Sequence, residues 1–323
     1  MRRMISGPIL LTGAGGDIGV SLAGILREAF PDAILLGADC DPAAPGALSF
    51  DQFFTLPRAD APNYLTALRG LVRENAAQVV IPLAEAELAR LLDAGAIGLF
   101  FEGAVMITAN DRALSIGLDK LATARCLQKA GIPVPETGIV GVDQPGDYDL
   151  IVKPRSGQGS KGLLRIRRED FDFHAKARSG DIWQRWLKRR EDEFTCGLVR
   201  FGGMPTRSIS FRRTLKGGLT GSGEVVHDAR IDAVCREVAD ALDLDGAINV
   251  QLRMDKGEPT IFEINPRFSS TVGFRHRLGF QDCVWSIVNR LWLASGSYEP
   301  PIAGTLIERG EQEIIRVPQA AAI

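Results

Sequence analysis

The sequence predicts an α/β protein, with an N-terminal doubly wound parallel sheet followed by a β-rich unit. Three observations carry this. Short apolar runs alternate with helical stretches through the first hundred residues, the pattern of strands joined by crossover helices. A glycine turn, Gly13-Ala14-Gly15-Gly16, links the first run to the first helix. Far downstream, two apolar segments, 247–254 and 261–265, flank the turn Asp255-Lys256-Gly257-Glu258-Pro259 and read as an antiparallel hairpin.

Taken in order, residues 8–18 form a buried strand entering the glycine turn, and a helix follows over 19–29. A second strand is expected at 33–39, a helix at 64–75, a third strand at 79–83, a helix at 85–94 and a last strand at 104–107. Asn110-Asp111-Arg112 opens a helical stretch. Asp119-Lys120 starts the helix running to Ala130, with Gly131 as its C-cap. Ile132-Pro133-Val134-Pro135 is an extended linker. Residues 150–154 are a strand leading into a second glycine-rich loop, 183–187 a short apolar connector and 194–201 a strand. Helices are expected over about 231–242 and 280–294.

Composition bounds the function. The 323 residues suffice for two or three domains. Apolar content of 45%, charged content of 24% and a net charge of −2 are ordinary for a globular protein and give no reason to expect nucleic acid as a partner. No apolar run reaches the length of a membrane span, and Met1-Arg2-Arg3-Met4 leads into a strand rather than a signal-peptide core. The five cysteines are scattered, without CxxC spacing, which fits a reducing, cytoplasmic setting and no zinc site.

The chemistry concentrates in Ile261-Phe262-Glu263-Ile264-Asn265-Pro266-Arg267. Strand side chains alternate faces, so Glu263 and Asn265 offer their oxygens to one point. Across the hairpin, Gln251 can complete the set. Hard oxygens of this kind suit Mg²⁺ shared with phosphate, with Mn²⁺ as a substitute, and Arg267 adds a fixed positive charge. The alternative is a plain hairpin with a polar face.

Two loops could cradle phosphate. Gly13 to Gly19 has G-x-G-x-x-x-G character between a strand and a helix, the context of a dinucleotide site. The segment resembles the start of extended short-chain dehydrogenases, a resemblance that implies a Tyr-x-x-x-Lys pair. The residues four after Tyr64, Tyr148 and Tyr298 are Leu68, Val152 and Ile302, so the pair is absent. Substrate contact and a structural turn both remain open for this loop. In the second, Lys153-Pro154-Arg155-Ser156-Gly157-Gln158-Gly159-Ser160-Lys161-Gly162, a lysine precedes a stretch whose glycines let backbone N–H groups approach phosphate. It does not match a Walker loop, and a basic surface hairpin is the alternative.

Asn249-Val250-Gln251 followed by Phe262-Glu263-Ile264-Asn265-Pro266-Arg267 resembles the metal-binding end of ATP-grasp enzymes, in particular the synthetase unit of the carbamoyl phosphate synthase large subunit and its small single-unit relatives. The resemblance extends from Pro8 to about Trp292. It implies a Rossmann-like pre-ATP-grasp domain over 1–108, a linker helix and lid subdomain over 109–187, and a C-terminal subdomain with the metal site over 188–323. It makes Gln251, Glu263 and Asn265 the metal ligands. It turns the second loop into a nucleotide lid, with Lys153, Ser156, Gly157, Gly159 and Ser160 on phosphate and Lys120 on the opposite face. Gln184, Trp186 and Leu187 resemble the hinge that reads adenine through its main chain, and Glu193 resembles the glutamate that holds the ribose. Arg267, Lys216 and Arg212 are then candidates for neutralising charge during transfer.

What the resemblance implies is ATP- and Mg²⁺-dependent activation of a carboxylate as an acyl phosphate, captured by an amine with release of ADP, by an enzyme of amino-acid-ligase type. Partners would be small-molecule acids and amines, with a homodimer as the common assembly of such ligases. Carboxyphosphate and carbamate chemistry is a second reading, although the chain has one synthetase unit where carbamoyl phosphate synthesis uses two. A nucleotide-binding protein without turnover is a third, and the intact ligand set speaks against it.

Overall fold

The computed structural model describes residues 5, 7–157, 162–188, 193–293 and 296–310. Gly159 and Ser160 lie outside the described residues.

The N-terminal unit runs β1 (Ile9–Thr12), α1 (Asp17–Ala29), β2 (Leu35–Asp39), β3 (Gln52–Thr55), α2 (Tyr64–Glu74), β4 (Val79–Pro82), α3 (Glu85–Asp93), β5 (Phe100–Phe101) and β6 (Ala104–Met106). Its sheet has the order β3-β2-β1-β4-β6-β5, parallel apart from the β5–β6 pair. Alternation along β1 explains the double winding. Ile9 and Leu11 face the core that contains α1, while Leu10 faces the core of α2. The connections leave β1 in opposite directions toward β2 and β4. The carboxyl ends of β1 and β4 therefore flank a topological switch point, where open α/β sheets form a crevice. The short strands β3 and β5 were not apparent in the sequence pattern.

Two helices follow, α4 (Asp111–Gly117) and α5 (Lys120–Lys129). Asp119 caps α5, its side chain accepting from the N–H groups of Leu121 and Ala122. Ala113, Leu114 and Leu127 pack into the core of the C-terminal unit.

The middle unit comprises β7 (Thr137–Ile139), β8 (Leu150–Lys153), β9 (Leu164–Ile166), α6 (Phe171–Ala177) and β10 (Ile182–Arg185), in an antiparallel sheet of order β7-β10-β8-β9. The segment expected as an apolar connector is thus mostly a strand. Trp183 and Gln184 are buried because β10 lies between β7 and β8, and only Trp186 and Leu187 lead onward.

The C-terminal unit contains β11 (Glu193–Arg200), β12 (Arg207–Lys216), β13 (Leu219–Val225), α7 (Ala229–Ala241), β14 (Gly246–Asp255), β15 (Glu258–Asn265), α8 (Val272–Arg277), α9 (Asp282–Arg290) and β16 (Leu306–Glu308), its sheet ordered β15-β14-β11-β12-β13-β16. Val272, Phe280 and Trp285 share one core with Ile9, Leu22 and Ile81 of the N-terminal unit. That continuous apolar seam holds the carboxyl edge of the parallel sheet against the loop that follows β15. Among the described residues no helix is long and apolar enough to cross a membrane.

Candidate active site

A cleft of about 680 Å³ opens between the middle and C-terminal sheets, with Ile18 of the N-terminal unit at its wall. Its size is that of a site for a small-molecule ligand.

The hairpin β14–β15 forms one side. Gln251 pairs in register with Glu263, and Asn249 with Asn265. The register slips beside Gln251, since Leu252 faces Ile261 and Gln251 faces Glu263, which leaves Phe262 as an extra residue. This bulge brings the consecutive residues Phe262 and Glu263 both into the cleft lining, where a regular strand would turn one of them away. Beyond it the alternation resumes, and Gln251, Glu263 and Asn265 all line the cleft. The Glu263 carboxylate accepts no hydrogen bond from the described residues. An open carboxylate between two amide oxygens suits a hard cation that takes its other ligands from phosphate and water, so the donor set fits Mg²⁺.

Cations face this edge. Lys153, at the end of β8, is buried, and its Nζ donates to Gln184 Oε1 at 3.0 Å and to the Phe262 carbonyl at 3.4 Å. Both partners are neutral. Burial pushes the Lys153 ammonium down to about 8; Glu263 works against this, while Lys120 and Arg253 add to it. Lys120 lines the cleft from the start of α5 and donates to the Gly157 carbonyl at 2.6 Å. Arg267 donates to Phe268 O at 3.0 Å, to Glu85 Oε1 at 3.0 Å and to Asn265 Oδ1 at 3.5 Å. Ser156 and Gly157 line the cleft. Arg155 turns aside to the carboxylate of Asp119, the cap of α5.

At the other end lie Gln184, Trp186, Leu187 and Glu193. Gln184 is held on both sides of its amide, its Nε2 donating to Thr137 Oγ1 at 3.1 Å. The Trp186 N–H donates to Asp149 O and the Leu187 carbonyl accepts from Arg253 Nη1, while the Leu187 N–H has no partner among the described residues. Glu193 is clamped by two guanidinium groups. Arg213 reaches its Oε1 at 2.8 and 3.0 Å, and Arg253 reaches its Oε2 at 2.7 and 3.0 Å. Burial alone would raise this carboxyl, and the two arginines outweigh it and hold the group below the usual range.

The structure separates the basic cluster of β12. Arg213 turns into the cleft, whereas Arg212, one residue earlier, lies outside its lining and pairs with Glu224 at 2.7 Å. Lys216 is exposed at the strand end; its neighbours Leu215 and Gly218 line the cleft and it does not. Arg275 is fully buried. It pairs with Asp282 at 2.7 Å and donates to Ser269 Oγ and Thr271 Oγ1, bracing the loop after β15. Sequence reasoning preferred Arg212 and Lys216 to their neighbour Arg213 and missed Arg253 and Glu85, which no short motif marks.

The glycine turn is largely satisfied from within. Gly15 N–H donates to Asp39 Oδ2 at 2.8 Å, and its carbonyl accepts from Gly46 N–H at 3.0 Å. Gly13 has φ +61°, and a Cβ on Gly19 would meet the Ala14 carbonyl at 2.1 Å, so both glycines are required by the turn itself. Its contribution to the cleft is Ile18.

Comparison with known proteins agrees with this architecture. Residues 118–271 match the model of the ATP-grasp domain, and residues 9–96 that of the PylC-like N-terminal domain. The chain thus carries an ATP-grasp domain behind a PylC-like N-terminal domain. Its fold is shared by an N5-carboxyaminoimidazole ribonucleotide synthetase solved with ADP, at 19% identity and a TM-score of 0.72, over 94% of this chain and 82% of that one. Biotin carboxylase from Campylobacter jejuni aligns at 14% identity and a TM-score of 0.69, over 90% and 72% of the two chains. An L-amino acid ligase from Bacillus licheniformis aligns at 15% identity and a TM-score of 0.66, over 88% and 74%. Comparison with curated protein sequences gives no match.

Proposed function

We propose that the protein is an ATP-dependent ligase that activates a carboxylate as an acyl phosphate and passes the acyl group to an amine. The observation that carries this is the gathering of Gln251, Glu263 and Asn265 in one cleft with Lys120, Lys153 and Arg267. Three oxygen donors with a single carboxylate suit a metal shared with a triphosphate, and three cations suit the phosphates themselves.

In this reading Leu187 offers its free N–H to the adenine edge. Glu193 receives the ribose hydroxyls through the lone pairs its arginines leave open. Lys153 and Lys120 hold the phosphates, with Ser156 and Gly157 beside them. Gln251, Glu263 and Asn265 would hold Mg²⁺, which supplies charge neutralisation at the transferred phosphoryl group. The substrate carboxylate attacks the γ-phosphorus, the bond to ADP breaks, and Arg267 faces the charge that develops. The amine nitrogen then attacks the acyl carbon, phosphate leaves and the amine gives up a proton. No side chain needs to become covalently attached, so the protein works by positioning and electrostatics.

The test is ADP release over a matrix of acids and amines, with amino acids foremost on both sides and bicarbonate among the acids. An acid–amine pair should raise ADP release above that of either compound alone. Glu263→Gln, which removes one charge at nearly constant shape, should keep the fold and lose turnover by 10²-fold or more (order of magnitude). Near-normal ATP consumption by that variant would refute the metal assignment.

A further inference from the structure

The N-terminal unit supplies none of the groups assigned to the nucleotide, yet one of its carboxylates holds a cation that lines the cleft. Glu85 is the first residue of α3, at the carboxyl end of β4 and hence at the switch point of the parallel sheet. It is buried, only 8% exposed, and its Oε1 lies 3.0 Å from Arg267 Nη2. The same Nη2 lies 3.5 Å from Asn265 Oδ1.

We propose, on the ligase reading above, that Glu85 is a positioning residue for phosphoryl transfer, aiming Arg267 at the transferred group and sparing Asn265 for the metal. The geometry gives the reason. Among the described residues Nη2 has two acceptors in reach, and the carboxylate of Glu85 is both the nearer and the stronger. Without it, the guanidinium turns to the Asn265 amide oxygen, so one substitution disturbs the cation and a metal ligand together. Partial burial strengthens this arrangement, since the charge-assisted bond to Glu85 is poorly screened by solvent. The electrostatics extend beyond the pair. Burial pushes the Glu85 carboxyl up, Arg267 and Lys120 pull it down, and Glu263 pushes it up, so Glu85 senses the same groups as the phosphate would. Glu87, two residues on, is its structural counterpart. It points instead to Tyr64 and Thr12 beneath the glycine turn.

The proposal can be tested without knowing the acid or the amine. Calorimetric titration would compare MgADP with MgADP plus aluminium fluoride, a mimic of a phosphoryl group in flight, on wild type, Glu85→Gln, Glu85→Asp, Arg267→Gln and the Glu85→Gln/Arg267→Gln double variant. Glu85→Gln should bind MgADP within about twofold of wild type and lose roughly tenfold of the extra affinity that aluminium fluoride confers. Glu85→Asp should recover part of that loss, and it carries the test should Glu85→Gln fail to fold. The double variant should be no worse than Arg267→Gln alone, because Glu85 acts through the arginine. Undiminished enhancement in Glu85→Gln, additive losses in the double variant, or no enhancement in the wild type would each overturn the proposal. A wild type that fails to bind MgADP at all would refute the nucleotide reading itself.

Discussion

Replacing Lys153 by methionine should make the empty protein more stable and deprive it of nucleotide. Lys153 is buried, and among the described residues its ammonium touches only the Gln184 and Phe262 oxygens, both neutral. Its pKa falls from an ordinary 10.5 to about 8 through burial, with Glu263 opposing and Lys120 and Arg253 reinforcing the change. At about 1.4 kcal/mol per pH unit, the charged form is disfavoured in the folded state by about 3 kcal/mol. The group is protonated in both folded and unfolded states below pH 8, so that cost is fully present at pH 7. Between about 8 and 10.5 the folded protein sheds the proton while the unfolded chain keeps it, so stability rises with pH and the cost disappears. Methionine keeps the length of the side chain and removes the charge. It also deprives Gln184 of a donor, worth about 1 kcal/mol in the opposite direction. The net gain is about 1–2 kcal/mol, or about 2–3 °C in Tm for a chain of this size. Differential scanning calorimetry at pH 7 and pH 9.5, with and without saturating MgADP, reads all of this. Without nucleotide, Lys153→Met should melt above wild type at pH 7, and the gap should narrow at pH 9.5. With MgADP the order should reverse, because only the wild type gains binding energy, about 2.7 kcal/mol at a hundredfold excess over Kd. A variant less stable than wild type at pH 7, with the same gap at pH 9.5, would refute the reasoning.

Further outcomes follow from other buried or capping carboxylates. Burial pushes Glu87 up to about 7 against the hydrogen bonds from Tyr64, the Ala84 N–H and Thr12. The native state therefore holds a proton that the unfolded chain has released between about pH 4.5 and 7, and stability from this group falls as pH rises through that window. Glu87→Gln should flatten the decline of Tm over pH 5 to 7.5, and an unchanged slope would count against a neutral Glu87 at low pH. Asp119 both caps α5 and holds Arg155. Asp119→Ala should cost about 1 kcal/mol in urea unfolding and speed tryptic cleavage after Arg155, and an unaltered cleavage rate would mean that this pair does not restrain the loop.

Much of the site was legible in the sequence because its core is local. The hairpin turn, the two-residue alternation and the pairing of Gln251 with Glu263 depend on neighbours along one strand or across one turn, and the structure shows that register. The parallel N-terminal sheet was legible for the same reason, since each strand carries its own apolar run and each crossover its own helical period. Edges were not. The two-residue strand Phe100–Phe101 has too few positions to display a period, and Trp183–Gln184 read as a connector because pairing on both sides, not their own pattern, makes them a strand.

The sequence by itself determined the alternation of strands and helices, the two glycine loops and the oxygen donors of the hairpin, since these express backbone periodicity and turn chemistry at short range. Only the tertiary structure decided which charges meet. Arg213 rather than Arg212 faces the cleft, because the face a residue takes depends on where β12 joins the sheet. The bulge at Phe262 turns Glu263 inward through a slip against β14 that its own segment does not encode. Glu193 meets Arg213 and Arg253 across neighbouring strands of one sheet, and Glu85 meets Arg267 across two units, all between residues remote in the chain. The first two pairs follow from strand pairing in the C-terminal sheet, and the Glu85–Arg267 pair from the apolar seam between α1, α8 and α9 that packs one unit against the other. Electrostatic partners at long separation follow from that pairing and packing and leave no periodic trace in the chain.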